Sequence, residues 1–231
     1  MSPLESSINP KLQFENRTYS FKTKRRIYLV AAFRRRINNK GKLKLWTIIV
    51  FFIIVLLLIQ NADKVWRYFY PFPYRQITIN HAEAYNLDPY LLASIMKAES
   101  GFNSSAVSPK GARGLMQIMP DTGQWVARQL GSPAFAPDQL FDPDTNIRFG
   151  AWYIADLKKE FHGDIVLVLA AYNGGRGNVE EWVASKNLTG GNSTIDQIPF
   201  PETRNFVRKV LLYHRIYSHL YGQEAQSASL Q

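Results

Sequence analysis

From Leu45 to Ile59 the chain reads LWTIIVFFIIVLLLI, with no charge and with Thr47 as its polar exception. A buried core helix is the alternative, but such helices rarely lack any polar face over that length. Fifteen helical residues rise roughly 22 Å, short of the ~30 Å hydrocarbon layer of a bilayer. Leu43 and the aliphatic stem of Lys44 lengthen the segment at one end, and Ala62, Val65 and Trp66 extend it at the other. Trp46 and the cluster Trp66, Tyr68, Phe69 and Tyr70 stand where interfacial aromatics collect. Residues 45–62 are therefore expected to form one transmembrane helix, with the lipid bilayer as its partner. A cleaved signal peptide competes with this reading. Against it, forty-four residues precede the apolar run, and Ile59-Gln60-Asn61-Ala62 lacks a small-x-small cleavage pattern.

Beyond Pro71-Phe-Pro73 the pattern changes to helices separated by Gly, Pro, Asp and Asn. Asp88-Pro89 combines an N-cap with proline at the first helical position and opens a helix over roughly 89–100. Leu92, Ile95 and Met96 form its apolar stripe. Asp121 is expected to cap a helix running through Leu130, and Asp142-Pro143 or Asp144 to start one carrying Ile147, Ile154, Leu157 and Phe161. Asp164 opens IVLVLAAYN, apolar all round and so placed at the centre. Residues 178–184 and 201–220 complete a mainly α domain.

Charge sharpens this division. The formal net charge is +10, and residues 1–44 hold twelve Lys and Arg against Glu5 and Glu15. The remaining sixteen basic and sixteen acidic residues cancel. The excess lies wholly on an N-terminal arm, expected to be flexible and to face the cytosol because positive residues crowd the near side of the apolar run. A nucleic-acid role would rest on that arm alone, so none is expected. The domain reading is 1–44 basic arm, 45–62 anchor, 63–75 linker, 76–220 catalytic domain outside the membrane, and 221–231 tail.

The chain has no cysteine, which excludes disulfides, thiolate metal sites and thiol catalysis. Its four histidines show no HExxH spacing, so neither a metal nor a cofactor is expected. His81 is the histidine with the best claim to a role. Glu99 stands out more. Steps of three and four from Leu92, Ile95 and Met96 land on it, so a carboxylate falls on an inward stripe, where burial raises its pKa toward that of a general acid. Turned outward in the last turn of its helix, it would be ordinary.

Around it stand SPKGARGLMQIMP (108–120), AYNGG (171–175) and PFPETR (199–204), in which glycines accompany polar and Met side chains. Taken singly, Gly111 and Gly114 mark a turn, Met116 and Met119 belong in a core, and Glu202 is a favourable charge at a helix N-terminus. In this order, with Glu99-Ser100 ahead of them, the blocks closely resemble the catalytic domain of the soluble lytic transglycosylase family, the goose-lysozyme-like group, over about residues 76–218. The resemblance implies a lysozyme-like helical fold and a groove for peptidoglycan glycan strands. It also implies Glu99 as the single catalytic acid/base, with Ser108, Gln117, Met119, Tyr172, Asn173 and Glu202 contacting substrate. The reaction implied is cleavage of the MurNAc–GlcNAc β-1,4 bond with formation of a 1,6-anhydromuramic end. Two positions depart from the family pattern: Phe206 stands where tyrosine is usual, and Gly174 where alanine is common. A muramidase of the same fold and a non-catalytic peptidoglycan-binding scaffold are the alternatives.

Overall fold

The computed structural model describes residues 41–228 apart from 133, 186 and 187, together with Tyr28, with side chains described as far as Gly222. Most of the basic arm expected over 1–44, with its expected flexibility, lies outside these residues. The chain divides into two compact units, 1–62 and 63–231. In the first, helix α1 (Gly41–Gln60) is long and apolar enough to cross a membrane. Its Thr47 hydroxyl donates to the Lys44 carbonyl (2.7 Å), so the polar exception is satisfied by its own backbone.

The second unit is helical, and its described residues include no strand beyond two isolated bridges, Val107–Arg113 and Arg113–Ile118. Its helices are α2 (Ala62–Phe69), α3 (Arg75–Ala84), α4 (Pro89–Glu99), α5 (Pro120–Gln129), α6 (Pro143–Glu160), α7 (Ile165–Gly174), α8 (Arg176–Ala184) and α9 (Pro201–Ala228). Short 3₁₀ turns at Pro137–Phe141 and Asn192–Gln197 join them. The caps largely follow the sequence. Asp88 accepts from the Tyr90 amide (2.8 Å), Asp142 from Thr145 (2.9 Å) and Asp164 from Val166 (2.9 Å). Two expected caps are otherwise employed. Met119, not Asp121, precedes α5, because Pro120 takes the first helical position. Asp144 pairs with His81 (2.8 Å).

The stripe of α4 is buried as expected: Leu92, Ile95 and Met96 are fully inaccessible. Each contributes roughly 1.5–3 kcal/mol of burial. α7 is the central helix, with Val166 to Ala171 all buried, and α9 packs on both α4 and α7. The stretch expected as a linker, 63–75, instead holds α2 and a run of aromatics. Tyr70, Phe72 and Tyr74 pack against the core, and the Tyr217 and Tyr221 hydroxyls donate to the Pro71 (3.0 Å) and Tyr70 (2.9 Å) carbonyls. The last helix, expected over 201–220, continues to Ala228.

Candidate active site

Glu99 ends α4, and the next residue fixes what surrounds it. The Ser100 hydroxyl donates to the Leu115 carbonyl (2.8 Å), tying the helix end to the loop 106–118. That loop folds back through the amide of Gly114 to the Ala106 carbonyl (2.9 Å) and of Arg113 to Ile118 (2.9 Å). Gly114 has φ +74°, and a Cβ there would stand 2.1 Å from the Leu140 carbonyl oxygen and 2.4 Å from Asn146 Nδ2. Only glycine lets the loop approach α6 so closely.

Asn146, fully buried on α6, holds the loop from beneath. Its Nδ2 donates to the carbonyls of Arg113 (3.0 Å) and Leu140 (2.7 Å), and its Oδ1 accepts the Met116 amide (2.8 Å). The Met116 carbonyl in turn accepts the Tyr172 hydroxyl (2.6 Å). One peptide segment thus joins α6 to α7 across the loop. Gln117 adopts φ +49°, a left-handed conformation costly for a side chain that is not glycine. It is held there by its Nε2, which donates to Gly114 (2.9 Å) and Ala106 (3.2 Å) carbonyls, leaving the amide oxygen for a ligand.

These elements enclose a cleft of about 500 Å³. Glu99, Ser108, Gln117, Met119, Tyr172, Asn173 and Glu202, the residues singled out from the sequence, all line it. Met116 is fully buried, whereas Met119 is 40 % exposed at the cleft, so the two methionines separate into core and lining. The Ser108 hydroxyl accepts the Ala112 amide (3.0 Å), and Asn173 Oδ1 accepts the Thr203 hydroxyl (2.9 Å). Glu202, in the first turn of α9, is largely exposed and faces Lys110 across the opening (3.9 Å). His81 is not a lining residue.

Electrostatics separates the two carboxylates of the lining. Burial pushes the Glu99 carboxyl up to about 7, with Lys209 pulling against it and Glu202 adding a little. The Tyr172 phenol is pushed far up by burial, then by Glu99 and Tyr153, so it acts as a hydrogen-bond donor. Its ring stacks on Phe206 (centroids 6.3 Å, 13°) and packs on Tyr153 (5.6 Å). A buried acid protonated near neutrality, beside a fixed phenol and a polar loop, can deliver a proton to a ligand oxygen and take one back.

Asn146, Tyr153, Thr122 and Lys110 were not singled out from the sequence. Asn146 carried the same signal as Glu99: stepping back from Leu157 through Ile154 and Gly150 lands on a polar residue of an inward stripe. Tyr153 reads as an ordinary helix aromatic, and Lys110 as a turn residue.

Comparison with known proteins gives the site a context. Residues 76–195 match the family model described as the transglycosylase SLT domain, and residues 197–226 that of the soluble lytic transglycosylase helical domain. The soluble lytic murein transglycosylase of Salmonella typhimurium is 33 % identical over 168 residues, covering 71 % of this chain and 26 % of the relative. The membrane-bound lytic murein transglycosylase C of Edwardsiella ictaluri is 39 % identical over 114 residues, 42 % of this chain and 30 % of that protein. Among solved structures, an inactive Glu-to-Gln mutant of the lytic transglycosylase Slt from Pseudomonas aeruginosa is similar at 38 % identity and TM-score 0.61, covering 65 % of this chain and 24 % of that one. The chain spans about a quarter of the length of the soluble relative.

Proposed function

The chain belongs to the transglycosylase SLT domain family, and on that premise we propose that it is a lytic transglycosylase of peptidoglycan. It cleaves the β-1,4 bond between N-acetylmuramic acid and N-acetylglucosamine and leaves 1,6-anhydromuramic ends. The observation that carries this reading is Glu99, its carboxyl raised by burial to about 7, in a cleft whose other carboxylate, Glu202, is exposed. An enzyme using two carboxylates needs the second within reach of the same sugar as nucleophile or base. Here the substrate supplies the nucleophile.

Glu99 donates its proton to the glycosidic oxygen as the bond to muramic C1 breaks. The substrate's own N-acetyl oxygen stabilises the positive charge left at C1. The C6 hydroxyl of the same sugar then attacks C1 and gives its proton to Glu99, which returns to its starting state without consuming water. Keeping the nucleophile within the substrate is worth up to ~7–11 kcal/mol in ideal cases. Tyr172 positions the reacting region, while Ser108, Gln117, Met119, Asn173 and Glu202 bind the strand. The Pseudomonas relative, inactive as a Glu-to-Gln mutant, supports an essential glutamate.

We further propose that residues 45–62 anchor the enzyme once in the membrane, with the basic arm in the cytosol and 76–220 as the catalytic domain outside. Helix α1 and the membrane-bound relative support membrane association. Protease digestion of intact spheroplasts tests the orientation: cleavage of the arm from outside would reverse it.

For the chemistry, purified peptidoglycan is digested with the detergent-solubilised full chain and with Glu99→Gln, and fragments are read by mass spectrometry. Muropeptides one water lighter, absent from the variant digest, are expected. Reducing ends would make the protein a muramidase, and binding without cleavage a scaffold.

A further inference from the structure

Helix α2 turns two unlike faces outward and inward. At 100° per residue, Val65, Trp66, Tyr68 and Phe69 fall within an arc of about 160°, and Arg67 lies opposite its centre. Arg67 faces the domain: its guanidinium donates to the Leu220 carbonyl (2.6 Å) and lies 4.9 Å from the centre of the Tyr221 ring. Tyr70 continues that grip, its ring packing edge-on against Tyr213 (6.1 Å) and Tyr217 (6.3 Å). None of the four arc residues packs against the buried core of the domain, and Trp66 meets only the edge of that grip, its ring 6.0 Å from Tyr70. Val65, Trp66, Tyr68 and Phe69 are 42, 52, 81 and 62 % exposed. Among the described residues of 63–231 they account for four of nine exposed large apolar side chains, the other five being Val107, Met119, Val183, Phe200 and Leu212. Four such residues in a row of five form a patch, whereas the rest are scattered.

We propose that the Val65–Trp66–Tyr68–Phe69 face of α2 seats the catalytic domain in the headgroup–acyl boundary of the lipid bilayer. The inference rests on reading Gly41–Gln60 as the membrane span. Chain continuity selects lipid over other occupants. α2 begins at Ala62, two residues past Gln60, so whatever angle the units adopt its first residue stays within about 7 Å of the span's end. That is the layer where tryptophan and tyrosine are most stable. Lys64, beside the arc, adds the charge suited to anionic headgroups. Because α2 is gripped by α9, seating the helix seats the domain, and the enzyme works on glycan next to the membrane instead of sweeping outward on a leash.

The chain has no cysteine, so single labels are unambiguous. Full-length Tyr68→Cys, Ile53→Cys and Glu181→Cys carry an environment-sensitive fluorophore and are reconstituted in phosphatidylcholine–phosphatidylglycerol vesicles, with spin-labelled lipids as quenchers. The expected result is blue-shifted emission at position 68, quenched most by shallow spin labels, with 53 quenched by deep ones and 181 unquenched. Trp66→Glu with Phe69→Glu, added to the Tyr68→Cys chain, should abolish the quenching at 68 while leaving cleavage of soluble muropeptide chains intact. A label at 68 as water-exposed as that at 181, with 53 still quenched, overturns the seat alone. No quenching at 53 removes the span beneath it. Shielding at 68 in native envelopes but not in pure lipid also overturns the proposal, in favour of a protein occupant.

Discussion

One wall of the cleft is helical and the other is loop. Glu99 and Tyr172 stand on α4 and α7, just past the buried runs Leu91–Met96 and Val166–Ala171, and their properties are set by desolvation. Ser108, Gln117 and Met119 stand on or beside the 106–118 loop, whose shape depends on a positive-φ glycine, a left-handed glutamine and one buried asparagine. The helical wall tunes a proton, and the loop wall presents polar groups to a sugar. The difference teaches that a chemical group can be inherited from core packing, whereas a binding surface needs local devices to hold backbone in unfavourable conformations.

The sharpest way to break this comparison is Glu99→Gln. Cleavage should fall by about 10²–10⁴-fold, measured as release of anhydro ends, while the fold persists. Stability should move the other way. Glu99 binds its proton more tightly folded, at about 7, than at its ordinary value of 4.5. The contribution of Glu99 to native stability is therefore fully present below pH 4.5 and is lost as pH rises through about 7, by up to about 3 kcal/mol. Gln cannot ionise, so its melting temperature should exceed that of the unmodified chain at pH 8, and the excess should shrink by pH 4.5. The activity of the unmodified enzyme should fall as pH rises through about 7, when the acid loses its proton.

Gly114→Ala strikes the loop wall instead. The added carbon would meet the Leu140 carbonyl and Asn146 at φ +74°, a loss of about 3–5 kcal/mol from strain and overpacking together, read by thermal denaturation. If the loop merely decorated the helices, the cost would be under about 1 kcal/mol. Tyr172→Phe cuts the link between the walls, leaving the Met116 carbonyl without its donor. A stability loss of about 1–2 kcal/mol and a drop in rate of about tenfold are expected, with substrate affinity little changed. Gly174→Ala should do least. Its Cβ would lie 2.9 Å from the Thr203 hydroxyl oxygen, but the gain in helix propensity of about 1 kcal/mol offsets that crowding. A melting temperature within a few degrees of the unmodified protein would mark the departure from the family's alanine as tolerated.

The same contrast explains how far the sequence could be read. α4 and α7 announce themselves by caps and by buried stripes, and Glu99 by falling on one. Asp121 misled because Met119 and Pro120 fix the start of α5 through backbone geometry that needs no side-chain cap. α2 was hidden because its residues look like the fringe of a membrane span, and its docking partners, Leu220 and Tyr221, lie about 150 residues away. Asn146 was hidden for a related reason: its value lies in carbonyls that only tertiary folding brings within reach. Tyr153 likewise reaches the cleft only once α6 packs on α7.

Met116 has both backbone groups held by different helices, its amide by Asn146 of α6 and its carbonyl by Tyr172 of α7. In the currency of hydrogen exchange, its amide proton can leave only when those helices part. The 106–118 loop should therefore contain one of the slowest-exchanging amides of the domain. Such protection, followed by deuterium uptake, would mean the cleft cannot come apart before the core does.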